Sequence, residues 1–331
     1  MHPSTLSSWA LLIWKAIESY GSDPRPLFEQ AGVDPDKLRD ANARYPISAL
    51  TRLWRLAVRA TQDPGIGLTA ARFLHPTTLH ALGYAWLASD CLKEALERAV
   101  RYYRIVSNGI EVWLEQAPDS YRLFIHAPEV PRMADEAIDA AVAVVVNLCR
   151  ASHGPEFNPL RVALQRNPPA DRGAYARMFR APVEFSAADN VVFLDKATVD
   201  MLLPTANAEL ARANDHVIKE YLARFERGSI KLQVEARLVE QLSSGHATQE
   251  SIAKALHLSP RTLQRKLKEE GTTYKQLLDT TRRELAAQYV KESHLSVNEI
   301  TFLLGFSEPA NFSRAFKRWN GVSPSQYRLS A

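Results

Sequence analysis

The sequence predicts an α+β domain followed by an all-α domain, and three observations carry that prediction. Alternating strand-type patterns occur only between residues 110 and 194, with helical periodicity on either side. Residues 248–327 hold the same helix, tight turn, helix device twice, with no strand signal. The basic excess is confined to the second part: from Ser229 onward there are 15 Lys+Arg against 10 Asp+Glu, whereas residues 1–228 carry 26 against 27. A length of 331 residues allows two domains, and a hydrophobic fraction of 46% supplies ordinary cores.

The chain opens helical. Leu6, Trp9, Ile13, Trp14 and Ile17 form one apolar stripe that stops at Gly21. Asp23-Pro24 starts a short helix ending at Gly32, and Ile47, Leu50, Leu53, Trp54, Ala57 and Val58 mark another. Helices are expected at 66–73, 79–88 and 92–106, and only then do strand signals begin. Residues 110–114 and 121–125 alternate, with Ala117-Pro-Asp-Ser120 as their turn. Asp135 to His153 reads as a helix that is Ala/Val-rich almost all round, which implies burial on most sides. Residues 160–165 and 191–194 read as two more strands, with a short helix at 174–179 between them. The expectation for 1–205 is therefore a small, mostly antiparallel sheet backed by helices. A helix over 206–225 follows, with Leu210, Asn214, Val217, Tyr221 and Arg224 at 4-3-4-3 spacing. That is fewer than three heptads, compatible with a coiled coil or with packing on the chain's own first domain. Arg227-Gly-Ser229 is the expected hinge, so that 206–228 connects and 229–331 forms the second domain.

The two copies in that second domain align closely. Ile252 matches Ile300, Leu256 matches Leu304, Leu258 matches Phe306 and Ser259 matches Ser307. One extra residue, Glu308, then shifts the register, so that Pro260 matches Pro309, Leu263 matches Phe312, Arg265 matches Arg314 and Leu267 matches Phe316. In the second copy Gly305 sits where a helix ends in a left-handed residue, and Ser307 is the candidate N-cap with Pro309 in the first turn. Ser259 and Pro260 do the same in the first copy. The helices that follow bury Leu263 and Leu267, or Phe312, Ala315, Phe316 and Trp319. They leave outside Arg261, Thr262, Gln264, Arg265 and Lys268, or Asn311, Ser313, Arg314, Lys317 and Arg318. The first unit spans about 249–270 and the second about 297–319. Between them, 274–292 has no Gly or Pro and carries Leu277, Leu278, Thr281, Leu285 and Tyr289 at helical spacing. Nineteen helical residues span about 28 Å.

Solvated basic helical hairpins would share some of these features, but two capped copies in register fit the helix-turn-helix, whose second helix enters the DNA major groove. Arg reads guanine through two hydrogen bonds, and Gln or Asn reads adenine. A rigid spacer of this length separates two such helices by roughly one DNA turn, about 34 Å.

These residues resemble the DNA-binding domain of the AraC/XylS family of bacterial transcription regulators. The motifs are Ile252-Ala253, Leu258-Ser259, Leu263-Gln-Arg-Lys-Leu267-Lys, Gly271, Gly305-Phe306-Ser307, Phe312-Ser-Arg-Ala-Phe316-Lys, Gly321 and Ser323-Pro-Ser-Gln-Tyr327-Arg. The resemblance implies seven helices, with promoter DNA, RNA polymerase and a small-molecule effector as partners; some members carry a repair or amidase-like half, but Asp90-Cys91-Leu92 and Leu148-Cys149-Arg150 show neither a zinc cluster nor a nucleophile elbow, so no enzymatic activity is expected. The resemblance also implies base contacts at Arg261, Gln264 and Arg265 and at Pro309, Ala310, Asn311 and Arg314. Pro309 and Ala310 offer no side-chain hydrogen bonds, so the second unit is expected to read few bases and mainly to grip phosphate. The first domain resembles the regulator subfamily whose N-terminal region is labelled arabinose-binding-like, through Asp63-Pro-Gly-Ile-Gly-Leu68, Leu82-Gly-Tyr84, Leu92-Lys-Glu-Ala-Leu96 and Arg101-Tyr-Tyr103. The label does not by itself imply sugar binding.

Trp86, Tyr102, Tyr103, Arg104 and Trp113 are the candidate effector residues; the plain alternative is that the aromatics fill the core. Cys91 and Cys149 form no disulfide framework or zinc pattern and read as buried thiols inside helices, so a redox role is disfavoured. His75, His80, His126 and His153 lack metal-ligand spacing, and no cofactor is expected. The N-terminus has no basic-then-apolar signal pattern, and no apolar run reaches membrane-spanning length, so a cytoplasmic protein is expected. The alternative to an effector-responsive regulator is a constitutive DNA-binding protein whose first half only oligomerises as a homodimer.

Overall fold

A computed structural model describes residues 3–127, 133–225, 230–244, 247–291 and 295–330. They form two compact units, Met1–Ile218 and Lys219–Ala331.

The first unit begins with strand β1 (Ser4–Leu6), helices α1 (Ser7–Ser19) and α2 (Pro24–Ala31), strand β2 (Arg44–Pro46), and helices α3 (Ile47–Thr61), α4 (Ile66–Ala71), α5 (Ala81–Leu87) and α6 (Leu92–Tyr102). Then come β3 (Glu111–Gln116), β4 (Ser120–His126), α7 (Asp135–His153), β5 (Arg161–Leu164), α8 (Arg172–Phe179), β6 (Val183–Phe185), β7 (Val191–Asp195), α9 (Lys196–Asp200) and α10 (Ala208–Phe225). The division between units falls within α10.

The main sheet has the order β3-β4-β7-β5-β6, antiparallel except for the β5–β6 pair. Its register sets Leu123 beside Val192 and Val192 beside Val162, a row of buried β-branched and Leu side chains. The opposite face carries Trp113 stacked on Phe124 at 4.8 Å, and Phe193 beneath the Arg161 guanidinium at 4.0 Å. β1 and β2 form a separate antiparallel pair. The expectation that strands begin only after residue 106 is therefore corrected: these segments have three residues each, too short to show a two-residue period, and β2 ends in Pro46.

α7 is buried nearly all round, as its composition implies. It packs on α3, α4, α5 and α8. Gly67 is what lets α4 approach: a Cβ there would lie 2.2 Å from the Glu136 carbonyl oxygen. Gly83 plays the same part in α5, where a Cβ would lie 2.0 Å from the Pro76 carbonyl oxygen. Two of the sequence motifs, Asp63 to Leu68 and Leu82 to Tyr84, thus mark points where backbones meet.

The second unit contains α11 (Ile230–Gln241), α12 (Gln249–Ala255), α13 (Pro260–Glu269), α14 (Tyr274–Lys291), α15 (Val297–Leu303), α16 (Pro309–Asn320) and α17 (Pro324–Ser330). It has two cores. The first unites Val234, Leu238, Ile252, Leu263, Leu267 and Leu277, and the second unites Ala286, Val290, Ile300, Leu304, Phe312 and Phe316. Each large apolar side chain so buried contributes roughly 1.5–3 kcal/mol. α14 serves both cores, its first half the one and its second half the other. On this helix Leu277, Thr281, Ala286 and Val290 are fully buried, whereas Leu278, Leu285 and Tyr289 are half-buried at the margins.

Candidate nucleic-acid interface

The first helix-turn-helix starts with a reciprocal cap: the Thr248 hydroxyl accepts from Ser251 N at 3.1 Å, and Thr248 N donates to the Ser251 hydroxyl at 3.1 Å. α12 ends at Ala255 with Leu256 as its C-cap, and His257 takes the left-handed conformation at φ 55°. Ser259 then caps α13, its hydroxyl accepting from Thr262 N at 3.1 Å, with Pro260 as the first helical residue. Leu263 and Leu267 point into the core. Ser259, Arg261, Gln264, Arg265 and Lys268 are exposed, and Thr262 is half-buried with its hydroxyl 2.8 Å from that of Ser259. Arg265 Nη1 donates to Glu269 Oε1 at 2.5 Å, a solvent-exposed pair worth under about 1 kcal/mol and so readily exchanged for another acceptor.

The second unit repeats the plan with two differences. Ser296 and Glu299 form the reciprocal cap of α15, and Gly305 takes the left-handed position at φ 66°. The N-cap of α16 is Glu308, not Ser307 as the sequence suggested, and its side chain makes no capping hydrogen bond. A proline fixes the first helical position in each unit, Pro260 and Pro309, and the residue before it must cap; the inserted Glu308 occupies that place in the second and leaves Ser307 in the longer turn. Phe312, Ala315 and Phe316 are buried. Ser307, Pro309, Ala310, Arg314, Lys317 and Arg318 are exposed and Asn311 half-buried. Arg314 Nη2 donates to Asn311 Oδ1 at 2.7 Å, and Arg318 reaches back to Asp279 on α14 at 3.5 Å. Arg261, Lys268 and Lys317 make no ion pair among the described residues.

Arg282 on α14 was not singled out in the sequence. Its Nε donates to the Leu304 carbonyl at 2.9 Å and its Nη2 to the Gly305 carbonyl at 2.6 Å, with the guanidinium 4.3 Å from the Phe306 ring centre. α14 thereby holds the second turn by that turn's own carbonyls. Burial lowers the guanidinium's pKa from its ordinary value. Arg328 of α17 does comparable work at the other end of α14, donating to the Val290 carbonyl at 2.8 Å and the Leu295 carbonyl at 2.7 Å.

Residues 252–330 match a family model described as a helix-turn-helix domain, and residues 21–203 match the arabinose-binding domain of AraC transcription regulators, N-terminal. The Ornithine utilization regulator of Pseudomonas aeruginosa is 30% identical over 324 residues, covering 97% of this chain and 95% of its own. The chain belongs to the AraC family of transcription regulators. Other members similar to this AraC-family regulator include VqsM of Pseudomonas aeruginosa, 26% identical over 80% of this chain and 83% of its own, and VirS of Mycobacterium tuberculosis, 25% identical over 94% and 92%. The crystal structure of CdpR from Pseudomonas aeruginosa shares the fold, with a TM-score of 0.50 at 22% identity, covering 96% of this chain and 98% of that one. The second unit is thus the DNA-binding domain of a transcription regulator, and the relatives are regulators rather than enzymes. No described helix is long and apolar enough to cross a membrane.

The five candidate effector residues are dispersed in this AraC-family regulator. Trp86 is buried in α5 and Tyr102 in α6. Arg104 is exposed, and Trp113 lies on the outer face of the sheet against Phe124. Tyr103 borders a cavity of about 30 Å³ together with Trp9, Trp54 and Thr51, room for little more than water. Cys149 is buried and its thiol pKa pushed up by desolvation. Cys91 is not inside a helix, as the periodicity suggested, but in extended backbone at the N-cap of α6, bridged to Leu202.

Proposed function

We propose that this regulator reads promoter DNA with α13 and α16 in two successive major-groove segments. The observation that carries this reading is the pairing of two exposed polar helix faces whose buried faces are fixed to one shared helix. At 18 residues, α14 spans about 27 Å. Arg261, Gln264 and Arg265 would read bases in the first segment, and Asn311 and Arg314 in the second. Ser259, Thr262, Lys268, Ser307, Lys317 and Arg318 would serve the phosphates, with Pro309 and Ala310 making only apolar contact. We further read 206–228 as the connecting segment, the N-terminal domain as the receiver of a small molecule, and the promoter complex as one that engages RNA polymerase in the cytoplasm. Exposed Leu210 and Val217, seven residues apart on α10, support a homodimer contact.

Footprinting on a selected operator tests the core of this reading. Protection is expected over two segments one turn apart, and scrambling the segment under α13 is expected to weaken binding more than scrambling the segment under α16. A single protected segment, or greater loss from the second half-site, would overturn it.

A further inference from the structure

We propose that Glu270, at the end of α13, is a positioning residue for base reading: its carboxylate fastens the first recognition helix to the start of α11 and so sets the angle at which Arg261, Gln264 and Arg265 meet DNA. This rests on the reading of α13 as the reader of the first major-groove segment, and it adds a residue that need touch no base.

The geometry is a clasp between two helices. The Glu270 side chain accepts from Ile230 N at 2.7 Å through Oε1 and from Lys231 N at 3.0 Å through Oε2, across 40 residues of chain. These N–H groups open α11, and the first donors of a helix find no acceptor inside it. Each carboxylate oxygen thus meets one donor, at the helix end whose dipole favours negative charge. Bonds assisted by charge in this way are stronger than neutral ones. α11 is itself anchored, since Val234 and Leu238 are fully buried in the first core beside Leu263 and Leu267. It begins directly after the hinge expected at 227–229, which lies outside the described residues.

The two recognition helices differ in what else holds them. The buried residues of α13 are Leu263 and Leu267, four apart on one stripe. Two leucines in line secure the middle of the helix against the core but leave its end free to swing. α16 buries Phe312, Ala315 and Phe316, and its rings also meet those of Phe306 and Tyr327. Leu267 matches Phe316 in the alignment of the two copies, so Glu270, three residues on, matches Trp319. Trp319 packs on the second core, with its ring 6.3 Å from that of Phe306. The same repeat position therefore ties down the end of each recognition helix, by apolar packing in the second copy and by two hydrogen bonds in the first. The neighbouring acid, Glu269, pairs with Arg265 on the exposed face instead, so the two adjacent glutamates have different work.

The test is a titration of the full chain at fixed salt on three duplexes: a selected operator, the same operator scrambled under α13, and the same scrambled under α16. Glu270→Ala is expected to weaken binding about three- to tenfold on the intact operator and on the duplex scrambled under α16. On the duplex scrambled under α13 it is expected to bind as the parent does or more tightly, because the change removes a negative charge from a protein that binds a polyanion. Glu270→Gln keeps one acceptor and is expected to fall between the parent and Glu270→Ala; it carries the same comparison should circular dichroism show the alanine variant unfolded. A role in stability alone would lower Tm and weaken binding to all three duplexes alike, and that result would overturn the proposal. So would a Glu270→Ala protein that binds the intact operator as the parent does, or a glutamine variant no better than the alanine one. A parent indifferent to scrambling under α13 would remove the reading of α13 and this proposal with it. A parent sensitive to that scrambling, with Glu270→Ala unaffected, would remove the proposal alone.

Discussion

His257 and Gly305 occupy the same place in the two turns, and both have positive φ, 55° and 66°. A histidine pays for that conformation where a glycine does not. His257→Gly is therefore expected to be neutral or to stabilise by up to about 1 kcal/mol in urea titrations. Gly305→Ala is expected to cost about 1–3 kcal/mol, because its Cβ would also stand 2.8 Å from the Leu242 carbonyl oxygen. Equal effects from the two changes would show that the turns are not equivalent in backbone demand. Arg265 makes the complementary case at the surface. Arg265→Ala is expected to cost about 1–3 kcal/mol on the selected operator and much less on unrelated DNA, read by titration at fixed salt. An equal loss on both would make it a phosphate contact. At this scale the exposed basic residues were legible, because capping residues and apolar spacing fix which side of a short helix faces out. Arg282 was not: in the sequence it is one more charge on a helix, and only the fold brings the Leu304 and Gly305 carbonyls to it. Ser307 misled because serine is a good cap wherever it falls, while the chain position of Pro309 decides which residue does the capping.

Among elements, α14 carries the greatest demand, since one helix must complete two separate cores. Leu285→Pro would remove a helical hydrogen bond and clash with the preceding turn, at a cost of about 3 kcal/mol or more. It is expected to uncouple the two units and shorten the protected DNA by about one turn. Circular dichroism taken alongside distinguishes this from global unfolding, and a folded variant with an unchanged footprint would show that α14 is not the spacer. Most helices of the first unit and the four of the helix-turn-helix pairs with α14 were legible from periodicity, down to the Ala/Val-rich α7, but α9, α11 and α17 were not marked by it. Four of the five strands of the main sheet were also marked by alternation or apolar runs. The three-residue β1, β2 and β6 were not, since their pairing is set by neighbours rather than by local pattern. The burial of α14 was read one step off. Its long residues Leu285 and Tyr289 attract attention, yet Ala286 and Val290 sit closest to the packed helices, where little side-chain volume fits.

For the whole molecule, the segment that matters is α10, because the division between the compact units runs through it. On its N-terminal side Asp215 is buried and paired with Arg98 of α6 at 3.3 Å, and Arg98 also holds Glu94 at 3.1 Å and the Ser89 hydroxyl at 2.8 Å. Arg98→Met would remove the cation that faces the buried Asp215 carboxylate and that of Glu94, a loss of up to about 3–5 kcal/mol. It is expected to release α10 from the first unit, seen in limited proteolysis as faster cleavage within 206–228 while 230–330 stays intact; unchanged cleavage would mean that apolar contacts alone anchor α10. The sequence placed a connecting helix here from its periodicity, but the buried ion pair spans more than a hundred residues and leaves no local trace. A last consequence comes from the single inserted residue, Glu308, which makes the second turn longer than the first. Two readers built on unlike turns and presenting unlike side chains cannot be exchanged by rotating the protein end for end. Bound DNA therefore acquires a heading: the same base pairs written in reverse along a promoter constitute a different address, and a single chain aligned on them faces either toward the gene or away from it.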